Sequence, residues 1–109
     1  MAETFVNKTV ALGNTADVSV YSPAAATTAI VIHCQVANVD GTNSADLNID
    51  LYDTSATTAA AVVSTLAVPA DTAVNPIGGK LVLEATDELR AWASATGDLE
   101  LTLGILEIT

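Results

Sequence analysis

The chain has 109 residues and little of what usually announces chemistry. It holds one cysteine and one histidine. A single cysteine excludes a disulfide within the chain. One Cys with one His cannot supply a tetrahedral zinc shell, and with His33 as the sole histidine no Ser-His-Asp triad can be built on another. His33 and Cys34 are neighbours, and neighbours in a strand point to opposite faces, so they cannot hydrogen-bond as a base–nucleophile dyad. Cys34 sits in an apolar run, where a free cysteine serves as a small hydrophobe. Cations are nearly as scarce. Lys8, Lys80 and Arg90 stand against 13 acidic residues, for a formal net charge of −10. Three scattered cations make no basic stripe, which excludes nucleic acid and an anionic membrane surface as partners. Aromatics are 4% of the chain, a poor supply for stacking against sugars. No run reaches the roughly 18 apolar residues of a membrane span. The opening "MAETFVNKTVAL" lacks the basic and long apolar regions of a signal peptide, so the expectation is synthesis in a cytoplasm without export by that route.

What is present is aliphatic. Hydrophobic residues make up 50% of the chain, and they are Ala, Val, Leu and Ile, joined by abundant Thr. This mixture favours strands and predicts a thin core. The length suits one domain, 1–109, which buries roughly 65% of its unfolded surface. Strand patterns run from end to end. "FVNKTVAL" (5–12), "VSVY" (18–21), "AIVIHCQVANV" (29–39) and "ADLNIDLYD" (45–53) come first. "AAAVVSTLAV" (59–68), "KLVLEA" (80–85), "ELRAWASA" (88–95) and "LELTLGILEI" (99–108) follow. Run 29–39 barely alternates, which predicts a central strand buried on both faces. "DGTNS" (40–44) reads as the loop of a hairpin joining 29–39 to 45–53. "GNTAD" (13–17), "TD" (86–87) and "TGD" (96–98) read as turns, and "PADTAVNPIGG" (69–79) as a loop. In the last strand Leu99, Leu101, Leu103 and Ile105 share one parity and Leu106 and Ile108 the other. Either a bulge at Gly104 or a strand leaving its own sheet accounts for the slip. About eight short strands at this spacing predict an all-β, antiparallel, single-domain β-sandwich of jelly-roll type, with residues 1–8 a candidate N-terminal arm.

Chemistry-bearing clusters are few. Asp40, Asp46, Asp50 and Asp53 gather around the expected hairpin, and Ca²⁺ takes such oxygens. Their spacing departs from the calcium-loop pattern, and a solvated acidic face is the ordinary meaning. "PIGGK" (76–80) lacks phosphate-loop spacing. No catalytic residue, metal or cofactor is expected. Surfaces remain. In the strand around residue 90, Leu89, Ala91 and Ala93 fall on one face and Arg90 and Trp92 on the other. Trp and Arg are the side chains most enriched at interface hot spots, so this pair is a candidate contact. Alternatively, Trp92 is covered by a loop or by the second sheet. Phe5 is the other isolated aromatic, an anchor either for a docking strand or for the chain's own sheet.

The stretch "GGKLVLEATDELRAWASATGDLELTLGILEI" (78–108) resembles a group of small virion proteins of tailed bacteriophages, whose pattern runs "KLVLEAGD", an alternating strand, "ASAAGDL" and a closing "LEI". "YSPAAATTAIVIHCQVANVDGTNSADL" (21–47) is similar to the same group's first half. Thr86 departs from the pattern, which has glycine there. The resemblance implies a β-sandwich virion component, foremost a capsid decoration (cement) protein. Such a protein sits on the outer surface of the head, expected as a homotrimer, with the major capsid protein as partner. A tail, neck or fibre-associated subunit is the alternative. A carbohydrate-binding module is a more distant one, and an enzyme is not expected. On this reading Phe5, Arg90 and Trp92 are the candidate interface residues.

Overall fold

A computed structural model describes residues 2–16 and 18–109. The last residue of the 13–17 turn thus lies outside the described residues. Among the described residues the fold is all-β, with nine strands: β1 (Glu3–Ala11), β2 (Ser19–Tyr21), β3 (Thr28–Asn38), β4 (Ala45–Asp53), β5 (Thr58–Val68), β6 (Ala73–Val74), β7 (Leu81–Leu83), β8 (Glu88–Ala93) and β9 (Leu99–Ile108). The expected strands all form; β6 is an addition inside the 69–79 loop. One sheet runs β1-β9-β3-β6, with β7 also on β3, and the other runs β2-β8-β4-β5. Every pairing is antiparallel. With β6 and β7 as two pieces of one strand, these orders are those of a jelly roll, a double-sheet sandwich that measures 47 × 27 × 20 Å.

Alternation builds the core. Leu99, Leu101, Leu103 and Ile105 of β9, Leu47 and Ile49 of β4, Val31 and Val36 of β3, and Leu89 of β8 are all at most 1% exposed. No aromatic residue is among the buried ones, so the core is as thin as the composition predicts. At one end Tyr21, on the second sheet, donates its hydroxyl to Glu107 of β9. Burial first, then the hydrogen bond and charge of Glu107, push the Tyr21 phenol well above its usual range.

Three expectations are corrected. First, "DGTNS" is no hairpin loop. β3 and β4 lie in different sheets, and residues 39–44 arch from one to the other. The tight hairpin in this region is β4–β5, closed by residues 54–57. Turn residues establish that the chain reverses, not that the flanking strands pair. Second, β3 is buried on one face only. Ala29, Val31, Cys34 and Val36 face the core while Ile32 is 40% exposed, because a two-layer sandwich has no third layer to cover the outside. Third, the bulge lies not at Gly104 but in β3 opposite it. β9 pairs with β1 in unbroken register, while its pairing with β3 shifts between Val31 and His33. Gly104 is needed for close approach, since a Cβ there would sit 3.3 Å from the His33 Cβ.

The turn at Thr86 holds a backbone conformation that favours glycine. The Asp87 amide donates to the Glu84 carbonyl (3.0 Å), and Thr86, third in that turn, adopts φ 66°. A β-branched residue is disfavoured there. Thr86→Gly is expected to raise stability by about 0.5–1 kcal/mol, read as a higher thermal midpoint. A lower midpoint would mean that the Thr86–Thr54 hydroxyl contact (3.0 Å) outweighs the backbone strain.

Candidate functional site

The two outer faces of the sandwich differ in chemistry. On the β2-β8-β4-β5 sheet, β4 turns Asp46, Asn48, Asp50 and Tyr52 outward and β8 turns out Glu88, Arg90 and Trp92. Register sets Asn48 opposite Trp92, Asp50 opposite Arg90 and Tyr52 opposite Glu88. The Arg90 Nε lies 3.0 Å from Glu88 Oε1, and its guanidinium carbon sits 4.1 Å from the centre of the Tyr52 ring. Arg90 is therefore engaged within its own chain. Trp92 is half-buried on this outer face, between the inward Ala91 and Ala93, and does not lie between the sheets. Its cross-strand neighbour Asn48 accepts the Thr65 amide at 3.0 Å.

The outer face of the other sheet is apolar at one end. Register aligns one residue from each of four strands: Phe5 of β1 with Leu106 of β9, Leu106 with Ile30 of β3, and Ile30 with Val82 of β7. Phe5 is 74% exposed and Val82 53%; Leu106 and Ile30 are half-buried. Ile108, on the same face, and Ile32, at the bulge, extend the patch. Glu3 is the charged residue of β1 on this face. Of this row only Phe5 stands out in the sequence. The signal for the rest is the parity slip of Leu106 and Ile108. It is no bulge in β9 but a regular strand with apolar residues on both faces at its end.

Among the described residues the remaining groups do not assemble into a reactive site. His33 is exposed on the outer face and Cys34 is buried on the inner one, the opposed placement expected for strand neighbours. Burial pushes the Cys34 thiol up to about 11 from 9.0. At pH 8 its thiolate fraction is on the order of one in a thousand, so a thiol reagent is expected to label it only as fast as the fold opens. A raised thiol value stabilises the folded state fully below pH 9.0 and is lost as pH rises through about 11. Fast labelling in native buffer would contradict this burial. The acidic residues considered for calcium are not brought together. Asp40 lies in the arch, Asp46 and Asp50 point out along β4, and Asp53 closes its far end. Asp53 instead meets Glu84 and Asp87, with carboxylate oxygens within 4.8 Å of one another. The chain's own donors occupy this group: Asp87 accepts the Glu84 amide (3.0 Å) and the Thr54 amide (3.2 Å), and Asp53 accepts Ser55 Oγ (2.7 Å). A dent of about 220 Å³ between β1 and β9 is lined by Thr9, Val10, Ala11, Glu100, Leu101 and Thr102, with Glu100 as its single titratable side chain.

The fold and its surfaces thus define a jelly-roll sandwich with one acidic outer face and one that is apolar at one end. No family model and no curated protein matches the chain. Among solved structures it is similar to the subunit of Bacillus endospore appendages, described as disulfide-linked pili. That match has TM-score 0.57 and 15% identity, and covers 99% of this chain and 87% of that one. At this identity the likeness is one of fold alone. It is more loosely similar to a pentameric capsid protein from metagenomic phage sequences (TM-score 0.40, 17% identity, 94% of this chain and 60% of that one). A third match is VP2 of the infectious bursal disease virus subviral particle (TM-score 0.41, 13% identity, 97% and 32%). Each of the three is a building block of an assembly.

Proposed function

We propose that this protein is a virion structural subunit, and that its role is to decorate the outside of a bacteriophage head and clamp neighbouring coat subunits. The observation that carries this reading is the contrast between its outer faces. The apolar row Phe5–Leu106–Ile30–Val82 offers a near-neutral seat for an apolar patch on the coat lattice. The opposite face presents Asp46, Asp50 and Glu88 to solvent and keeps the assembled particle soluble. A subunit that binds the assembled lattice and not free coat protein stabilises that lattice by mass action. Phe5 belongs to this seat. Arg90 and Trp92 lie on the opposite face, which the seat leaves open to neighbours or to solvent.

Quantitative mass spectrometry of purified virions tests the reading. Copy numbers comparable to the coat protein are expected. A small fixed number of copies would place the protein at the tail or neck, and its absence from particles would overturn the virion reading. Val82→Glu, a change at an exposed position in the seat, is expected to weaken binding to undecorated heads by tenfold or more, with the fold unchanged by circular dichroism.

A further inference from the structure

A two-sheet sandwich has four edges, and proteins normally guard such edges against pairing with other chains. Three of the four are guarded here. β2 is three residues long with a register shift. β6 and β7 are two and three residues long and are separated by the Pro76 loop. β5 is long, but its pairing with β4 shifts register twice, which bends the strand out of plane. β1 is different. Its nine residues run opposite β9 from Glu3↔Ile108 to Ala11↔Glu100 without a shift, and they contain no proline. The short β2 across the sandwich also leaves the inward-facing Thr4 and Lys8 of β1 exposed. β1 is thus a long, regular strand, open along its edge and much of both faces.

We propose that two copies of this chain pair antiparallel along the Glu3–Asn7 stretch of their β1 edges, so that the β1-β9-β3 sheets run on as one, Phe5 stands beside its mate and Glu3 faces Asn7 of the second copy. Two observations favour a second copy as the occupant. Glu3 and Lys8 are the only charges on β1 and they cancel, so like copies of a chain of net charge −10 can meet here without net repulsion between the paired strands. The apolar row also ends on the edge at its most exposed member. Across a two-fold axis perpendicular to the sheet, Val82–Ile30–Leu106–Phe5 continues as Phe5–Leu106–Ile30–Val82 of the second copy, with an aromatic cross-strand pair at the centre. Pairing of identical edges is isologous and gives a closed dimer, in place of the threefold form expected from the resemblance. The interface is small, below about 1,200 Å² in total, so the dimer is concentration-dependent. Both apolar rows then face the same way. A dimer that also sits on a lattice would do so by two linked contacts, but the pairing does not depend on that lattice.

Analytical ultracentrifugation of the full chain at physiological ionic strength is the test, with no virion component present, so that its outcome is independent of the decoration reading. The expected result is a monomer–dimer equilibrium. Phe5→Glu, which sets two carboxylates face to face, should raise the dissociation constant more than about tenfold. Val82→Glu, in the same row but away from the edge, should change it less than about twofold. Phe5→Cys should oxidise to a covalent dimer, because facing residues of an antiparallel pair lie about 4.5–5.5 Å apart at Cα, within disulfide reach. A chain that stays monomeric throughout, a trimer, or equal weakening by Val82→Glu and Phe5→Glu would overturn the proposal.

Discussion

Asn38→Ala is expected to lower stability by about 3–4 kcal/mol, in a chain whose total is on the order of 5–15 kcal/mol. Asn38 ends β3 and is 3% exposed. Its Nδ2 donates to the Asn43 carbonyl at 3.0 Å and to the Val68 carbonyl at 2.9 Å, and its Oδ1 accepts the Asp40 amide at 2.9 Å. One side chain thus ties the end of β3, the arch 39–44 and the end of β5, segments drawn from both sheets. An arch has no ladder of its own, and these three bonds replace it. Truncation removes all three bonds, each worth about 0.5–1.5 kcal/mol, together with the packing of a buried side chain. Urea unfolding followed by circular dichroism should show a lower midpoint with an unchanged slope. A loss under about 1 kcal/mol would mean that the flanking main-chain bonds, Asn38 N–H to Thr72 (2.8 Å) and Val39 N–H to Asp98 (2.8 Å), suffice to hold the arch.

Leu101→Ala should be about as damaging, and more so than loss of the only tryptophan. Leu101 is 0% exposed and lies on β9, with Val10 of β1 on one side and Val36 of β3 on the other. In a core of small side chains, with no aromatic residue to collapse into the gap, the cavity persists. The expected cost is about 3–4 kcal/mol, a fall of roughly 13–17 °C in thermal midpoint. Trp92 is larger but lies on the outer face, half-buried against Asn48. Trp92→Ala is expected to cost about 1–2 kcal/mol and to leave the domain folded. The reverse ranking in thermal melts would mean that Trp92 and its surroundings, rather than the inter-sheet layer, hold the sandwich together.

Strand positions were legible in the sequence because a strand's side chains alternate and burial on one face leaves a period of two. Leu47, Ile49 and Leu51 of β4, and Leu99 to Ile105 of β9, follow that rule. The alanines of 59–68 would also suit a helix, but its β-branched Val62, Val63, Thr65 and Val68 favour the strand that forms. The opposed faces of His33 and Cys34, and of Arg90 and Ala91, come from the same geometry. Cys34 as a buried small hydrophobe, the absence of a reactive pair around it, and an acidic character distributed over turns and one sheet face all follow from residue type and spacing.

Strand pairing was not legible. "DGTNS" and "TGD" carry the residues of tight turns, yet both lead the chain from one sheet to the other. A turn constrains φ and ψ over a few residues, while sheet membership depends on which distant strand offers a matching buried face. Apart from β4–β5, the ladders join strands distant in sequence, and local signals do not encode them. The apolar outer row has the same origin. Phe5, Ile30, Val82 and Leu106 are scattered through the chain, and only the registers β1–β9, β9–β3 and β3–β7 bring them side by side. The sequence by itself determined an all-β chain, where its strands run and, in the cleanly alternating strands such as β4 and β8, which side chains turn inward, because these follow from the local geometry of an extended backbone. The tertiary structure alone decided how the strands join into two sheets, which edge stays open and which face stays apolar, because those are properties of residues far apart in the chain.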